Sequence, residues 1–360
     1  MKVLTVGSAM IDTIAIIESD HIERVTLRNT AASFLMLEEG RKIEALEVST
    51  HCGGGAVNTA VTMARLGLDV AVLVKLGRDA RAETILERLM SEGISARWVV
   101  RDGRAPTGAS VHVSSHERNS AIFTFRGANT KLQADDLRKD LFAADMVYVA
   151  SLSGGSAEHF FAIVEDAKRE GAIVVANPGA KQVSGATFRQ AIASIDILIM
   201  NRHEANALVP LLVRACRELP VPAPPLADTA FKTRQLESGG FKMDLSTFVR
   251  CVTSLGPRTA VLTDGSAGAF VATKDRIIYC PAIEGEVRGT AGAGDAFGAT
   301  FAAFVLMGRS LEDAILAAAI NAGSVTKHVD TQTGLLAHDV LAARMAEIGK
   351  SVTVHDWALA

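Results

Sequence analysis

The sequence is poor in several residue types that would have pointed to particular classes of protein. Aromatic residues make up only 5% of the 360 residues, and the four cysteines include no CxxC pair and lie beside no histidine cluster. This cysteine pattern argues against a zinc site and is typical of reduced thiols in a cytoplasmic protein. Basic residues are not in excess, since 37 Lys and Arg face 40 Asp and Glu. This balance argues against binding to nucleic acid or to an anionic membrane surface.

Long apolar runs are also missing. The longest, such as residues 299–307, fall short of the roughly 20 residues that a membrane-spanning helix needs. The first residues lack the long apolar core and the small-residue cleavage site of a signal peptide, and residues 3–6 have the pattern of a buried first strand. We therefore expect a soluble cytoplasmic protein.

The sequence does contain a high apolar fraction, 49%, together with 30 glycines. Short apolar runs alternate with segments of helical periodicity, which predicts a mostly parallel sheet with helices on both faces. The alternating segments 107–113 and 120–125 predict an antiparallel hairpin instead. The other predicted strands are 70–74, 94–100, 146–150, 172–176, 196–200 and 259–263, and the predicted helices are 57–64, 81–92, 156–170, 186–194, 203–218, 294–307, 311–328 and 338–347.

The strongest local signal is Gly292-Ala293-Gly294-Asp295 at the start of an apolar helix. Small residues before a helix leave backbone N–H groups uncovered, and these groups form an anion site together with the helix dipole. Asp295 would repel a phosphate there, so it either stabilises its own helix terminus or acts as a general base beside the phosphate. The segment is not a Walker A loop, and its glycine spacing misses the GxGxxG dinucleotide pattern by one residue.

A second glycine-rich helix start lies at Gly53-Gly54-Gly55 and is followed by Asn58. The glycines allow a ligand to approach the backbone closely, and the Asn58 amide offers both a donor and an acceptor. Alone this is a weak signal, because a flexible helix start with Asn58 facing solvent would give the same sequence.

The two segments together, in this order, resemble the PfkB (ribokinase-like) family of carbohydrate and nucleoside kinases. The resemblance rests on GGGAVNTAVTMARLGLDVAVLVKLGRD at residues 53–79 and GTAGAGDAFGATFAAFVLMG at residues 289–308. It implies a single ribokinase-like α/β domain over residues 1–360, a three-layer α/β/α sandwich with a mostly parallel sheet and a small β-stranded lid. Smaller marks of the family are Gly7 with Asp12, Gly127-Ala-Asn129, Asn201-Arg-His-Glu204 and Thr263-Asp-Gly265-Ser-Ala-Gly268.

The resemblance also implies roles in phosphoryl transfer. Asp295 stands where the family has the catalytic base that takes the proton from the substrate hydroxyl. The backbone amides of Gly292, Ala293 and Gly294 stand where the family has the anion hole for the transferring phosphoryl group. Such chemistry needs positioning and charge stabilisation more than covalent help.

Other positions match the acceptor side of the family's site. Asp12, Gly54 and Asn58 fall where the family holds substrate hydroxyls, although an aspartate in a turn after the first strand would look the same as Asp12. The irregular residues 13–50 and the hairpin 107–125 look like the family's lid, which covers the sugar and excludes water.

On the nucleotide side, Asn201 and Glu204 match the family's NxxE motif, which organises Mg²⁺, its waters and the ATP phosphates. Glu204 would reach the metal through water, although an ordinary acid at a helix start would look the same. The other implied nucleotide-side positions are Thr263, Gly265 and Gly268 in a turn along the nucleotide, with Asn321 and Gly334 as weaker candidates for the base pocket.

Two features depart from the family pattern. Gly289, six residues before Asp295, stands where the family usually has an aspartate that helps to bind an activating monovalent cation. The sequence therefore leaves activation by a monovalent cation open. The proline-rich stretch at about 218–240 is an insertion that we interpret as an irregular surface loop.

The expected function is an ATP- and Mg²⁺-dependent kinase that phosphorylates a hydroxyl of a small sugar and forms a homodimer through its lid. One alternative is a ribonucleoside or adenosine kinase, which the same scaffold serves. The other is a non-catalytic sugar-binding regulator, against which the intact segment 292–295 argues. The scarcity of aromatic residues favours a sugar, because few side chains could stack on a base.

Overall fold

The computed structural model of the chain describes residues 1–18, 23–26, 33–36, 40, 42–115, 120–216 and 234–359. These residues include 19 strands. In chain order they are β1 (Lys2–Val6), β2 (Met10–Ile17), β3 (Glu23–Thr26), β4 (Ser33–Met36), β5 (Ala45–Gly53), β6 (Asp69–Leu73), β7 (Lys75–Leu76), β8 (Val100–Arg101), β9 (Gly108–Ser115), β10 (Ser120–Phe125), β11 (Met146–Val149), β12 (Ile173–Ala176), β13 (Ile197–Asn201), β14 (Gln235–Ser238), β15 (Phe241–Asp244), β16 (Thr259–Thr263), β17 (Ala269–Ala272), β18 (Arg276–Cys280) and β19 (His355–Ala358).

Four α-helices of the described residues begin after a residue whose side chain caps the helix, namely Asp79, Asn201, Asp244 and Ser310. Asp79 caps the helix Ala80–Ser91 by accepting a hydrogen bond from the Ala82 amide, and Ser310 caps the helix Leu311–Val325 by accepting from the Asp313 amide. None of the helices in this part of the chain is both long and apolar enough to cross a membrane. The helices are α1 (Gly55–Arg65), α2 (Ala80–Ser91), α3 (Phe160–Arg169), α4 (Ala180–Val183), α5 (Ala186–Ala191), α6 (Arg202–Ala215), α7 (Leu245–Ser254), α8 (Ala293–Leu306), α9 (Leu311–Val325) and α10 (His338–Ile348).

A nine-stranded main sheet runs in the order β19-β18-β17-β16-β13-β12-β11-β1-β6. The six strands from β16 to β6 are parallel, and β17, β18 and β19 extend the sheet as an antiparallel edge. The side chains of β11 alternate between two cores. Met146 and Tyr148 pack with α1, α2, α8, α9 and α10, whereas Val147 and Val149 pack with α3, α5, α6 and α7. This arrangement confirms the predicted three-layer α/β/α sandwich with a mostly parallel sheet.

A smaller sheet, the lid sheet, has the strand order β10-β9-β2-β5. It contains the predicted hairpin as the antiparallel pair of β9 and β10, while the hairpin turn at 116–119 lies outside the described residues. β2 follows β1 after only three residues and pairs in parallel with β9. The predicted β-stranded lid is therefore present, built from two separate stretches of chain.

The structure differs from the sequence-based expectation in the insertion and at the sheet edge. Residues 217–233 lie outside the described part of the chain, but Gln235–Ser238 is a strand that pairs with Phe241–Asp244. The interpretation of 218–240 as irregular throughout is therefore wrong at its C-terminal end, where a two-residue turn closes a hairpin. Helix α7 and the antiparallel strands β17, β18 and β19 were also not predicted.

Candidate active site

A cavity of about 280 Å³ opens at the carboxyl ends of the parallel strands. In the main sheet β6 pairs with one edge of β1, and β11, which comes later in the chain, pairs with the other edge of β1. The strand order therefore reverses direction at β1. Ligands of open parallel sheets bind at such a switch in strand order. The cavity brings together six of the predicted site residues: Asn201, Glu204, Thr263, Gly292, Gly294 and Asp295.

The first turn of α8 forms one wall of the cavity. Gly292 caps the helix in a left-handed conformation with φ of +78°, and a side chain there would collide with Thr331 at 2.6 Å. Gly294 has open space where a side chain would be, so the helix terminus is accessible. Ala293 is not among the residues that line the cavity, and its amide donates to the Thr290 carbonyl at 3.4 Å.

Asp295 is held in place by Asn58 of α1. The Asn58 amide nitrogen donates a hydrogen bond of 2.8 Å to Oδ2 of Asp295. The amide oxygen of Asn58 accepts from the Thr331 hydroxyl at 2.9 Å and from the Gln332 amide at 3.1 Å. Both ends of the Asn58 amide are therefore engaged, which fixes its orientation and that of the carboxylate. In this arrangement Asn58 orients Asp295, and its predicted contact with substrate stays a prediction.

Two carboxylates face the cavity, and the pKa of each is raised. Burial raises the pKa of Asp295 above its usual range, the Asn58 hydrogen bond opposes this, and the charge of Asp12 adds to it. Burial raises the pKa of Glu204 to about 7 against the opposing effect of its hydrogen bond from the Asn201 amide, and the charge of Asp295 contributes. The site therefore favours the arrival of positive charge or of a proton.

The floor beneath these carboxylates is apolar and contains Tyr148. Its phenol is fully buried, and its oxygen has no hydrogen-bond partner among the described residues. Burial, with the charges of Asp295 and Glu204, raises the pKa of Tyr148 well above its usual range, so the phenol stays neutral. Gly298 makes room for it, because a Cβ at that position would lie 2.5 Å from the phenol oxygen.

Asn201 and Glu204 form a reciprocal cap at the start of α6. The Glu204 amide donates to the Asn201 side chain at 2.9 Å, and the Glu204 carboxylate accepts from the Asn201 amide at 2.8 Å. The NxxE motif thus stabilises its own helix and also aims the Glu204 carboxylate at the cavity.

Thr263 ends β16 at the cavity and is followed by a tight turn, which we call the 264–268 turn. The Asp264 amide donates to the Gly268 carbonyl at 2.8 Å and closes the turn. Gly265 and Gly268 have φ of +56° and +88°, and a Cβ at Gly268 would lie 2.4 Å from the Cys280 carbonyl oxygen. These glycines shape the turn, while Thr263 is the residue that lines the cavity.

On the lid sheet, Asp12 lies within β2, so the alternative of a turn aspartate is wrong. Its Oδ1 accepts a hydrogen bond from the Ser110 hydroxyl on β9, and His112 Nε2 lies 2.8 Å from the same hydroxyl. These three buried side chains, the lid trio, share one face because Asp12 pairs with Ser110 in the register of β2 and β9. The Asp12 carboxylate also packs against Gly53, because a Cβ at Gly53 would lie 2.0 Å from Oδ2 of Asp12.

Gly54 connects the lid sheet to α1. It has φ of +97°, and a side chain there would lie 2.6 Å from the Ser8 carbonyl oxygen. The Gly55 amide donates to the Ser8 hydroxyl at 3.1 Å, which joins the start of α1 to the chain after β1. Gly54 is therefore required for a close approach of two backbones at the mouth of the cavity.

Sequence comparison with known families now decides the class of protein. The sequence model described as pfkB family carbohydrate kinase matches residues 2–218 and 243–337. The chain belongs to this family. As a PfkB carbohydrate kinase it is a phosphotransferase that acts on a hydroxyl group, and ATP binding follows from the family. The unmatched residues 219–242 coincide closely with the stretch that the sequence marked as atypical.

Named relatives of this PfkB kinase share about a quarter of its residues. A deoxyribokinase of Salmonella typhi is 27% identical over 318 residues, covering 87% of this chain and 92% of the relative. A ribokinase of Staphylococcus aureus is 26% identical over 264 residues, covering 72% and 77%. A nucleoside kinase of Methanothermobacter thermautotrophicus is 26% identical over 287 residues, covering 79% and 81%.

Solved structures share the fold. A ribokinase from Thermotoga maritima superposes with a TM-score of 0.73 at 19% identity, covering 96% of this chain and 99% of the other. An Arabidopsis thaliana ribokinase, complexed with ribose and ATP, superposes with a TM-score of 0.73 at 22% identity, covering 95% and 97%. These likenesses confirm the ribokinase fold.

Two predicted positions have structural roles in this PfkB kinase. Asn321 is completely buried, donates to the Thr300 hydroxyl at 2.8 Å and accepts from the Leu336 amide at 3.0 Å, so its amide is engaged in the core. A Cβ at Gly334 would lie 2.5 Å from the Ser324 carbonyl oxygen, so this glycine allows close packing against α9.

The atypical Gly289 is also a packing requirement. A Cβ there would lie 2.9 Å from the His328 carbonyl oxygen, and the Gly289 amide donates to the Thr326 carbonyl at 3.2 Å. The backbone around this position leaves no room for the aspartate that is usual in the family.

Several residues near the site were missed by sequence reasoning. Ser8, Ser151 and Asn177 line the cavity, and each follows a buried strand. A polar residue one or two positions after the end of a buried parallel strand was the signal that could have identified them. Ser110 and His112 carry a weaker signal, because only the pairing of β9 with β2 brings them to Asp12.

Proposed function

We propose that this chain is an ATP-dependent sugar kinase, which transfers the γ-phosphoryl group of ATP to a hydroxyl of a small carbohydrate, with Asp295 as base. The observation that carries this proposal is the Asn58 hydrogen bond of 2.8 Å to Asp295. It orients a carboxylate of raised pKa beside the open amides of a helix N-terminus, within the cavity. A carboxylate that only stabilised its own helix would need neither the cavity nor the partner.

The reaction follows from this geometry. Asp295 accepts the proton of the acceptor hydroxyl as its oxygen attacks the γ-phosphorus, and the bond to the bridging oxygen breaks to release ADP. The amides at the start of α8 and the helix dipole stabilise the negative charge on the transferring group. Gly292 and Gly294 leave the helix terminus uncovered, and the Ala293 amide, which donates to the Thr290 carbonyl at 3.4 Å, lies in the same turn.

We assign the nucleotide phosphates and Mg²⁺ to the wall formed by Asn201, Glu204 and Thr263. In the part of the chain that the structure describes, no group of three or more His, Cys, Asp or Glu forms a cage for a metal ion. Glu204 faces the cavity beside the anion site while Asp295 is assigned as base, and one carboxylate fits Mg²⁺, which keeps several waters and binds mainly to substrate phosphates. When bound, Mg²⁺ neutralises charge on the phosphates, and Glu204 would hold it through water.

We assign the acceptor to the lid trio of Asp12, Ser110 and His112. Carboxylate, hydroxyl and imidazole groups on one face provide donors and acceptors for a polyol. Phe123 and Phe125 of β10 pair with Val111 and Ala109, and so lie on the opposite face of the lid sheet from Asp12. They are not placed to stack on a base above the trio, which supports a sugar rather than a nucleoside. Because two of the relatives are named deoxyribokinase and ribokinase, deoxyribose and ribose are the first acceptors to test.

An assay of ADP release with Mg-ATP against a panel of pentoses, hexoses and nucleosides tests the proposal. We expect turnover with one or a few sugars, and loss of that turnover in Asp295→Asn. Preferential turnover of a nucleoside would contradict the sugar kinase and support the alternative, a nucleoside kinase. Tight sugar binding without ADP release from any acceptor would instead support the non-catalytic regulator.

We also propose a cytoplasmic location and a homodimer that forms through the lid sheet. All four cysteines are free thiols, as expected in a reducing compartment. Four apolar side chains of the lid sheet are exposed on the face opposite the trio: Val48, Val111, Phe123 and Phe125. Sedimentation of wild type against Phe123→Ser/Phe125→Ser tests the dimer, and a monomeric wild type would contradict it.

A further inference from the structure

Two arginines contact one aspartate, Asp264, in the 264–268 turn. Arg202 and Arg234 each place Nη1 on Oδ2 of Asp264, at 3.0 and 3.1 Å. We call these three residues the arginine clamp. Asp264 is well shielded, with 13% of its side chain exposed, and Arg234 is nearly as buried, with 18% exposed. Ion pairs at this depth are screened less by solvent than surface pairs.

Arg234 makes contacts beyond its ion pair. Its Nη2 donates to the Ala267 carbonyl at 2.9 Å, and the Tyr279 hydroxyl donates to the same carbonyl at 3.2 Å. The guanidinium lies 4.7 Å from the ring centre of Phe270 and 5.6 Å from that of Tyr279. A planar fork that binds two groups and stacks on rings cannot be reproduced by lysine.

The clamp joins the two elements that supply the nucleotide side of the cavity. Asp264 and Ala267 belong to the turn directly after Thr263, and Arg202 is the first residue of α6, directly after Asn201. The Arg202 Nη2 also donates to the Gln235 carbonyl, which ties the β14–β15 hairpin to the same point. Two arginines and one aspartate leave one net positive charge beside the proposed triphosphate site, where it favours an anionic ligand.

Arg234 lies in the stretch 219–242 that the family model does not match. Its contacts with the 264–268 turn are therefore a property of this chain's own insertion. A role confined to the stability of the hairpin would require neither contacts to the Ala267 carbonyl nor a shared carboxylate with Arg202.

We infer that Arg234 is a positioning residue for the nucleotide, acting through Asp264 and the Ala267 carbonyl to hold the 264–268 turn in its binding conformation. This inference rests on the proposed assignment of ATP to that side of the cavity. Arg234 itself does not line the cavity, so its effect on ATP is through the turn.

The test compares Arg234→Met with Arg276→Met. Arg276 is a matched control on β18, where its Nη1 contacts Glu312 at 2.5 Å and Asp356 at 2.9 Å, joining α9 and β19 instead of the turn. We expect Arg234→Met to raise the KM for ATP by about tenfold, comparable to the loss of one charge-assisted hydrogen bond, with little change in the acceptor KM. Arg276→Met should lower Tm and leave both KM values near wild type.

The outcomes separate the inference from the function on which it rests. Calorimetric binding of Mg-ATP to wild type, Arg234→Met and Arg276→Met provides a readout without turnover. Equal ATP affinity in wild type and Arg234→Met would overturn the inference alone. Absence of ATP binding to wild type would overturn the proposed function together with the inference.

A second variant covers the case in which Arg234→Met does not fold. Arg234→Lys keeps the stem and the charge but cannot bind Asp264 and the Ala267 carbonyl as a planar fork. Arg234→Lys should also raise the KM for ATP, by a smaller factor than Arg234→Met. If Arg234→Lys folds with a lowered Tm but binds ATP with wild-type affinity, Arg234 has only a structural role and the inference is overturned.

Discussion

The main sheet and the lid sheet differ in how their polar groups are held. At the main sheet, helices cover both faces, and Asp295 and Glu204 stand over an apolar floor that raises the pKa of both. At the lid sheet, one face carries exposed apolar side chains, and Asp12 already accepts a hydrogen bond from Ser110. The difference fits the proposed division of labour, with phosphoryl transfer at the main sheet and acceptor recognition at the lid.

The largest expected effect is at the main sheet. Asp295→Asn removes the proposed base but keeps the shape and a hydrogen-bonding partner for Asn58. We expect kcat to fall by about 10³-fold, within the range for general base catalysis, with small changes in both KM values. Steady-state kinetics measure this, with Asp313→Asn in the first turn of α9 as a control. A kcat within tenfold of wild type would remove Asp295 from the role of base.

The next effect is at the lid. Asp12→Asn removes the charge that the trio presents to the acceptor, so we expect the acceptor KM to rise by about 10- to 100-fold while the KM for ATP stays near wild type. Ser110→Ala should act in the same direction with a smaller factor, and Glu237→Gln on the exposed β14–β15 hairpin is the control. If Asp12→Asn instead raised the KM for ATP alone, the division between the two sheets would be wrong.

The smallest effect is on stability and depends on pH. The pKa of Glu204 is about 7 in the folded protein against 4.5 ordinarily, so the folded state binds the proton more tightly. Protonated Glu204 therefore contributes to the free energy of unfolding of the wild type fully below pH 4.5, and this contribution is lost as the pH rises to about 7. Glu204→Gln avoids this loss, so its Tm should exceed that of wild type by about 2–4 °C at pH 8 and match it near pH 4.5.

Calorimetric melting across this range checks the Glu204 prediction. A Tm difference that is constant with pH would contradict the raised pKa as its cause. The same variant should weaken the use of Mg-ATP more than that of the acceptor, because Glu204 faces the cavity on the side assigned to the nucleotide.

Local sequence patterns predicted the parts of this molecule that depend on neighbouring residues. The glycine-rich helix starts at Gly54 and Gly292 were predicted because positive φ and open amides are local properties. The parallel strands were predicted because burial on both faces gives continuous apolar runs. Helix α7 and the antiparallel edge were missed, because elements of four to ten residues carry only a short stretch of periodic pattern.

Contacts between distant parts of the chain could not be predicted in this way. The Asn58–Asp295 hydrogen bond joins residues 237 positions apart, and no local pattern around Asn58 indicates this partner. The lid trio depends on the register of β2 with β9, which alternation of side chains does not determine. The arginine clamp requires Arg202, Arg234 and Asp264 to meet from three elements.

The way the lid sheet joins the main sheet has a consequence for how such enzymes diversify. Its first stretch leaves β1 at residues 7–9 and returns at Gly54, and its second stretch is the hairpin of β9 and β10. Both stretches are bounded by short connections to a body that retains Asp295, Glu204 and the 264–268 turn. With the acceptor bound by the lid trio, as proposed, exchange of these two stretches between related genes changes the accepted molecule and keeps the same transfer machinery. Acceptor choice and phosphoryl transfer then evolve as separable modules.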